Sequence, residues 1–288
     1  MRSLRWRPAL AVAVVGLLMG GGFAVLQLPA AGAGGLLHPA RRRVVQPPPE
    51  TCREAVFAGA RVSLKGWRCR ASGQRRGTLV FLHGIADNRT SAVGVIQRFG
   101  PRGFDVVAYD SRAHGESEGD ACTYGFLEKQ DLHRVLDTMD GGAIVLLGTS
   151  LGGAVALQEA ADDRRVSVVV AAETFSDLRA VAVERAPFFF TRGIIRQAFL
   201  LAEQEGHFQA DAVSPMHAAA RITVPVLLVH GAADADTPPD HSQRVLAALK
   251  GRKRLILVPG AGHNGSLRAD VWAEIERWID AGLAAAPG

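Results

Sequence analysis

Ser150 stands at the centre of Gly148-Thr149-Ser150-Leu151-Gly152, between the apolar run 143–147 and the alanine-rich stretch 153–161. A serine placed where a strand turns sharply into a helix is a candidate nucleophile. The turn forces its central residue to positive φ, and side chains two positions to either side would collide with the backbone, so glycine is needed at both. In a chain with 32 glycines the pentapeptide alone is weak, and the flanking strand and helix patterns give it weight.

A serine hydroxyl is protonated at neutral pH and needs a base within hydrogen-bond reach, with an acid to orient that base. His263, in Pro259-Gly260-Ala261-Gly262-His263-Asn264, and Asp234, in His230-Gly231-Ala232-Ala233-Asp234, each follow an apolar run. Asp236 is the rival acid, should the loop be displaced by two residues. A tetrahedral intermediate also needs fixed N–H donors. Leu151 supplies one at the start of a helix, and Ile85, in His83-Gly84-Ile85 after another apolar run, supplies the second.

These residues converge only if their loops leave one edge of one sheet. Apolar runs at 55–57, 61–67, 78–83, 104–109, 143–147, 166–172, 224–230 and 255–258 read as strands. Helical patterns follow at 93–99, 127–139, 151–161, 241–249 and about 267–283. Runs such as Leu79-Val80-Phe81-Leu82 lack alternation, as expected of strands buried on both faces, and strand–helix alternation implies parallel neighbours. The expected architecture is α/β, a mostly parallel, doubly wound sheet opened by an antiparallel hairpin. Loops at the carboxyl ends of such strands share an edge, where Ser150, Asp234 and His263 meet. Residues 174–223 contain no clear strand and read as a short helical cap insertion. Its Phe188-Phe189-Phe190 run is expected to face something apolar, because three exposed phenylalanines are an aggregation liability, and to contribute to substrate binding.

The motifs together resemble the α/β-hydrolase superfamily over about residues 50–283, especially its membrane-anchored or exported bacterial serine hydrolases related to monoglyceride lipases and prolyl-aminopeptidase-like enzymes. The resemblance rests on His83-Gly84, on Asp110-Ser111-Arg112-Ala113-His114-Gly115-Glu116-Ser117, on Gly148 to Gly152, on His230-Gly231 to Asp234 followed by Thr237-Pro238, and on Gly262-His263. It implies a Ser150, His263 and Asp234 triad, oxyanion donors at Ile85 and Leu151, no cofactor and no metal. Ala113 departs from the pattern, since relatives carry glycine there, and a less tightly folded loop is expected. Asp110, Arg112 and His114 read as a network bracing that loop. Relatives with an aspartate nucleophile, epoxide hydrolases and haloalkane dehalogenases, are disfavoured by Ser150. The implied activity is acyl transfer to water from a small-molecule substrate: a carboxylic ester first, then an amide, peptide or thioester. A membrane-tethered binding protein that keeps the fold without turnover is the reading from another class.

The 288 residues suffice for one principal domain, and 48% hydrophobic content supports a sizeable core. The formal charge of +5 comes from the N-terminus: Arg2, Arg5, Arg7 and Arg41 to Arg43 precede the first acid, and the other basic residues nearly balance 28 acidic ones. No clustered basic stripe remains, which argues against nucleic acid as a partner. Residues 9–28 are apolar apart from Gln27, long enough to cross a membrane as a helix, while Ala31-Gly32-Ala33 offers a cleavage site; a retained anchor and a cleaved signal both fit. A cleaved signal exports the catalytic part, and for a retained anchor the arginines Arg2 to Arg7 abutting the run weakly favour the N-terminus inside, so the catalytic part is expected outside the cytoplasm. Accordingly, 1–43 reads as anchor or signal plus linker and 44–288 as the catalytic domain, and the Gly, Ala and Pro-rich segment 29–49, across that boundary, reads as a tether that contributes nothing to catalysis. Cys52 and Cys69 fall near the open ends of the hairpin and can pair in an exported protein, leaving Cys122; three free thiols is the alternative. His83 and His230 read as structural, and His133, His207, His217 and His241 show no partner spacing for a metal.

Overall fold

The computed structural model describes residues 26–284. Its eight strands form one sheet: β1 (Cys52–Ala58), β2 (Ser63–Cys69), β3 (Gly77–Leu82), β4 (Phe104–Tyr109), β5 (Ala143–Thr149), β6 (Val166–Ala172), β7 (Val226–Gly231) and β8 (Lys253–Val258). Their order is β1-β2-β4-β3-β5-β6-β7-β8. β2 runs antiparallel to both β1 and β4, and β3 to β8 run parallel. Every residue of β3 and β7 is buried, as a strand covered on both faces requires. The hairpin extends beyond the apolar pattern because β1 is an edge strand: Cys-Arg-Glu at its start is polar, and polar side chains suit a partly solvated edge. β8, at the other edge, begins with Lys253 and Arg254 for the same reason.

Helices cover both faces. α2 (Val93–Phe99) and α9 (Ala269–Ala284) bury Ile96, Phe99, Ile275 and Ile279 on one side; α3 (Glu128–Leu136), α4 (Leu151–Ala160) and α8 (Asp240–Ala248) bury Leu132, Val155 and Val245 on the other. The segment between β6 and β7 is helical, as expected, with α5 (Leu178–Arg185), α6 (Arg192–Gly206) and α7 (Pro215–Ala219). β3 has β4 on one side and β5 on the other, so the connections diverge there. A crevice opens beyond the carboxyl ends of adjacent strands at such a switch.

The N-terminal segment differs from the expected tether. Residues 26–37 are helical (α1), and Ala33 and Leu37 belong to the same core as α4 and α6. The Leu37 carbonyl accepts from Cys122 N (2.8 Å), and the Arg41 guanidinium donates to the Ser117 carbonyl (2.6 Å) and to that of Gly119 (2.5 Å). The boundary at 43/44 therefore falls inside the folded body. The Ala-Gly composition that reads as a linker is also that of a helix face allowing close approach: a Cβ at Gly32 would lie 3.0 Å from both Ala198 and Phe190. The apolar run 9–28 lies outside the described residues except for its last three, and no described helix is long and apolar enough to cross a membrane. Cys52 and Cys69 face each other across β1 and β2 and form a disulfide; Cys122 is free and buried.

Candidate active site

Ser150 adopts φ 49° and ψ −112° between the end of β5 and the first turn of α4. A Cβ at Gly148 would strike the Gly152 backbone, and one at Gly152 would strike the Leu82 carbonyl, so neither position admits a side chain. Such a conformation costs on the order of 1–3 kcal/mol and persists only where its surroundings fix it. Here Ser150 N donates to the Ala172 carbonyl (2.8 Å), tying the turn to β6. The serine lines a cleft of about 890 Å³, together with Ile85, Glu173, Glu184, Arg185 and His263.

The sheet register brings the other loops to the same edge. Gly231 of β7 pairs with Val258 of β8, and Ala233 N donates to the Ala261 carbonyl (2.9 Å), so the Asp234 and His263 loops are stitched together. The His263 imidazole lies with Nε2 3.1 Å from Ser150 Oγ and Nδ1 2.7 Å from Asp234 Oδ2. Asp234 Oδ1 accepts from the N–H groups of Asp236 (3.0 Å) and Thr237 (2.9 Å), which turns its other oxygen toward the histidine. Asp236 itself lines the cleft, and its side chain does not reach His263. His230 supports the same carboxylate: its Nε2 lies 3.2 Å from Asp234 Oδ2 and 2.8 Å from the Thr237 carbonyl.

Leu82 of β3 pairs with Gly148 of β5, which sets the His83-Gly84-Ile85 loop beside Ser150. His83 fixes that loop. Its Nδ1 donates to the Gly84 carbonyl (2.7 Å), and its Nε2 accepts from Ser111 N (2.9 Å), so the ring is held neutral between two loops. Burial lowers its pKa in keeping with this role. The Leu151 N–H lies in the first turn of α4, where no helical carbonyl can take it.

The Asp110-to-Ser117 loop is braced as expected. Asp110 accepts from Arg89 N (2.7 Å), Arg89 Nη1 (2.5 Å) and Glu116 N (2.9 Å), and Arg112 pairs through Nε and Nη2 with both oxygens of Asp131 at 2.7 Å. His114 Nδ1 donates to the Arg112 carbonyl (2.8 Å). The loop is not loosened by Ala113, which takes φ 59° itself and donates its N–H to the Glu118 carbonyl (3.1 Å).

Two of the three phenylalanines do not reach the site as expected. Phe190 N bonds back to the Pro187 carbonyl (2.8 Å), so Phe188 and Phe189 are the central residues of a turn and project outward, 99% and 51% exposed. Only Phe190 turns inward, against α1. Glu173, which the sequence did not single out, instead follows β6 directly, at φ 54°, and accepts from Asn264 N (2.6 Å) and Ser266 N (2.9 Å). It clamps the loop carrying His263. Its one local signal is an acid ending the apolar run Val168-Val169-Val170-Ala171-Ala172.

Two further groupings involve histidines to which no role was given. His241 Nδ1 lies 2.8 Å from Ser176 Oγ, and Nε2 lies 2.7 Å from Glu184 Oε2. This trio is unlike the first: Ser176 is buried outside the cleft, its N–H also donates to Nδ1 (3.1 Å), and the ring nitrogens face serine and acid in the opposite sense. It fastens α5 to α8. His133 meets Glu159 (2.8 Å) and Asp163 (3.2 Å), so the fold brings together three potential ligands that are separated along the chain. Arg165 already pairs with Asp163 (2.5 Å), and burial raises the Glu159 carboxyl to about 7.

A model of the alpha/beta hydrolase family matches residues 79–275. Among curated proteins, the chain is 28% identical over 193 residues to the uncharacterized protein YfhR of Escherichia coli K12, covering 65% of this chain and 62% of that one. It is 26% identical over 196 residues to the uncharacterized protein YqkD of Bacillus subtilis 168, covering 65% and 64%. The match thus spans somewhat less than two thirds of the length of these relatives. Among solved structures, the esterase Pf2001 of Pyrococcus furiosus superimposes with a TM-score of 0.68 at 19% identity, covering 85% of this chain and 98% of that one. An acetyl xylan esterase from Paenibacillus sp. R4 gives 0.66 at 22% identity, covering 88% and 92%.

Proposed function

The chain belongs to the alpha/beta hydrolase family, and on that premise we propose that it is a serine hydrolase cleaving a carboxylic ester through an acyl-enzyme on Ser150. The carrying observation is the unbroken line from Ser150 Oγ to His263 to Asp234 at a strained strand-to-helix turn. His263 Nε2 accepts the serine proton as Oγ attacks the carbonyl carbon, and returns it to the leaving oxygen. A water then enters, gives a proton to the same nitrogen and attacks the acyl carbon, and the imidazolium returns that proton to Ser150 Oγ as the C–Oγ bond breaks and the acid leaves. Asp234 holds the Nδ1–H tautomer and stabilises the imidazolium. The N–H groups of Ile85 and Leu151 stabilise the oxyanion, each worth about 3–4 kcal/mol of barrier. No step calls on a cofactor.

A fluorophosphonate probe and a p-nitrophenyl acetate assay test this. Ser150→Ala is expected to lose both labelling and turnover, and Asp234→Asn to lose about 10⁴-fold in kcat. Asp236→Asn should stay within a few-fold of the parent. Equal labelling of parent and Ser150→Ala protein refutes the nucleophile assignment.

We propose also that the domain works outside the cytoplasm, supported by the apolar run 9–28 behind three arginines and by the Cys52–Cys69 disulfide, which an oxidising compartment permits. Alkaline phosphatase fused after Gly288 should be active in intact bacteria; an inactive, stably expressed fusion contradicts it.

A further inference from the structure

A second recess, of about 370 Å³, adjoins the catalytic cleft and shares Ile85 and Arg185 with it. Its walls are Leu36 of α1, Val181 and Ala182 of α5, Phe190, and Ile195 and Phe199 of α6. Its few polar groups are turned to other work. The Tyr124 hydroxyl donates to the Leu36 carbonyl (3.0 Å), and the Arg185 guanidinium donates to the Asp236 carbonyl (2.7 Å) and to Thr237 Oγ1 (2.5 Å). An occupant would meet a mainly apolar lining whose side-chain polar groups are already engaged, so the recess fits an aliphatic chain.

We infer that this recess holds the acyl chain of the substrate, with helix α1 as one wall, and that the polar cleft holds the alcohol portion. The assignment rests on Ser150 being the nucleophile. In that reaction the leaving oxygen must take its proton from His263, so the alcohol lies on the His263 side. His263, Asp236 and Asn264 line the cleft and none of them lines the recess. The remaining substituent on the carbonyl carbon, the acyl chain, then runs past Ile85, the oxyanion donor of the proposed mechanism and a lining residue of both cavities, into the recess. The ester class follows: an aliphatic acyl group longer than acetyl on a polar alcohol.

The full chain would be assayed with p-nitrophenyl acetate, butyrate, octanoate and dodecanoate below their micellar concentrations. The parent should favour octanoate over acetate at least tenfold in kcat/KM. Two variants fill the recess from opposite walls: Ala182→Phe from α5, and Gly35→Leu from α1, where an added Cβ meets nothing within 4 Å. Each should lower the octanoate-to-acetate ratio at least tenfold. A parent ratio at or below one overturns the inference whatever the variants do, and so does an unchanged ratio in variants that still cleave acetate. Acetate turnover that survives Ser150→Ala instead defeats the nucleophile assignment beneath it.

Discussion

Ser150 and Ala113 both occupy left-handed backbone space, for different reasons. The serine is held there by glycine-only contacts at Gly148 and Gly152, and the strain presents its hydroxyl to His263. Ala113 at φ 59° belongs to a loop that touches no reacting atom, and its methyl group is buried. Ala113→Gly should therefore change stability by less than about 1 kcal/mol, because the relief of left-handed strain is offset by the greater freedom of the unfolded chain and by the loss of a buried methyl group. Thermal unfolding checks this, and a Tm shift beyond about 4 °C in either direction would contradict it. The residues meeting at the cleft were legible because each sits in a short loop whose glycines advertise a tight turn after an apolar run. Glu173 was not, because its partners Asn264 and Ser266 lie 91 and 93 residues away and nothing local marks the pairing. The phenylalanine run misled for a related reason: apolar composition does not say which way a turn points its side chains.

At the scale of elements, the β6 terminus and the loop after β8 act as one unit. Glu173 N donates to the Val229 carbonyl (2.8 Å) while its carboxylate receives two N–H groups from the His263 loop, so His263 hangs from the centre of the sheet. A glutamine offers one acceptor oxygen where the carboxylate offers two. Glu173→Gln should lower kcat on the order of 10²-fold through a small misplacement of His263, leave KM nearly unchanged, and retain the parent's secondary structure by circular dichroism. A matching rise in KM with kcat intact would mean that Glu173 contacts the substrate instead. The parallel strands were readable from their unbroken apolar runs. α1 was not, because glycine and alanine signal a flexible linker and a closely packed helix face alike, and only Phe190 and Ala198 decide between them.

Across the whole molecule, acid stability is tied to histidines buried as neutral rings. His114 is the clearest: burial, with the His83 ring beside it at 5.2 Å between centroids, lowers its pKa from 6.5 to about 4 despite Glu128 and Asp110 nearby, and its Nε2 has no partner among the described residues. A group whose folded pKa is depressed contributes stability above its unfolded pKa and loses it as pH falls toward the folded one. The loss for His114 runs from pH 6.5 downward and reaches about 3 kcal/mol at pH 4. Glu159, raised to about 7, works in the opposite sense, losing stability as pH rises from 4.5 through 7, so the total profile is a compromise. The His114 contribution is isolated by difference. The Tm gap between parent and His114→Asn should narrow steadily as pH drops from 7 to 4, and a gap independent of pH would count against a neutral buried ring.

The docking of α1 has a practical side. A recombinant version trimmed to begin at residue 44, the natural choice for removing the apolar N-terminus, would discard Leu37 from the core and Leu36 from the wall of the recess. Such a protein could keep the Ser150 cleft and still cleave small esters, while reporting a chain-length preference that the intact polypeptide does not have. Purification strategy and measured specificity are coupled here through twelve residues that resemble a spacer.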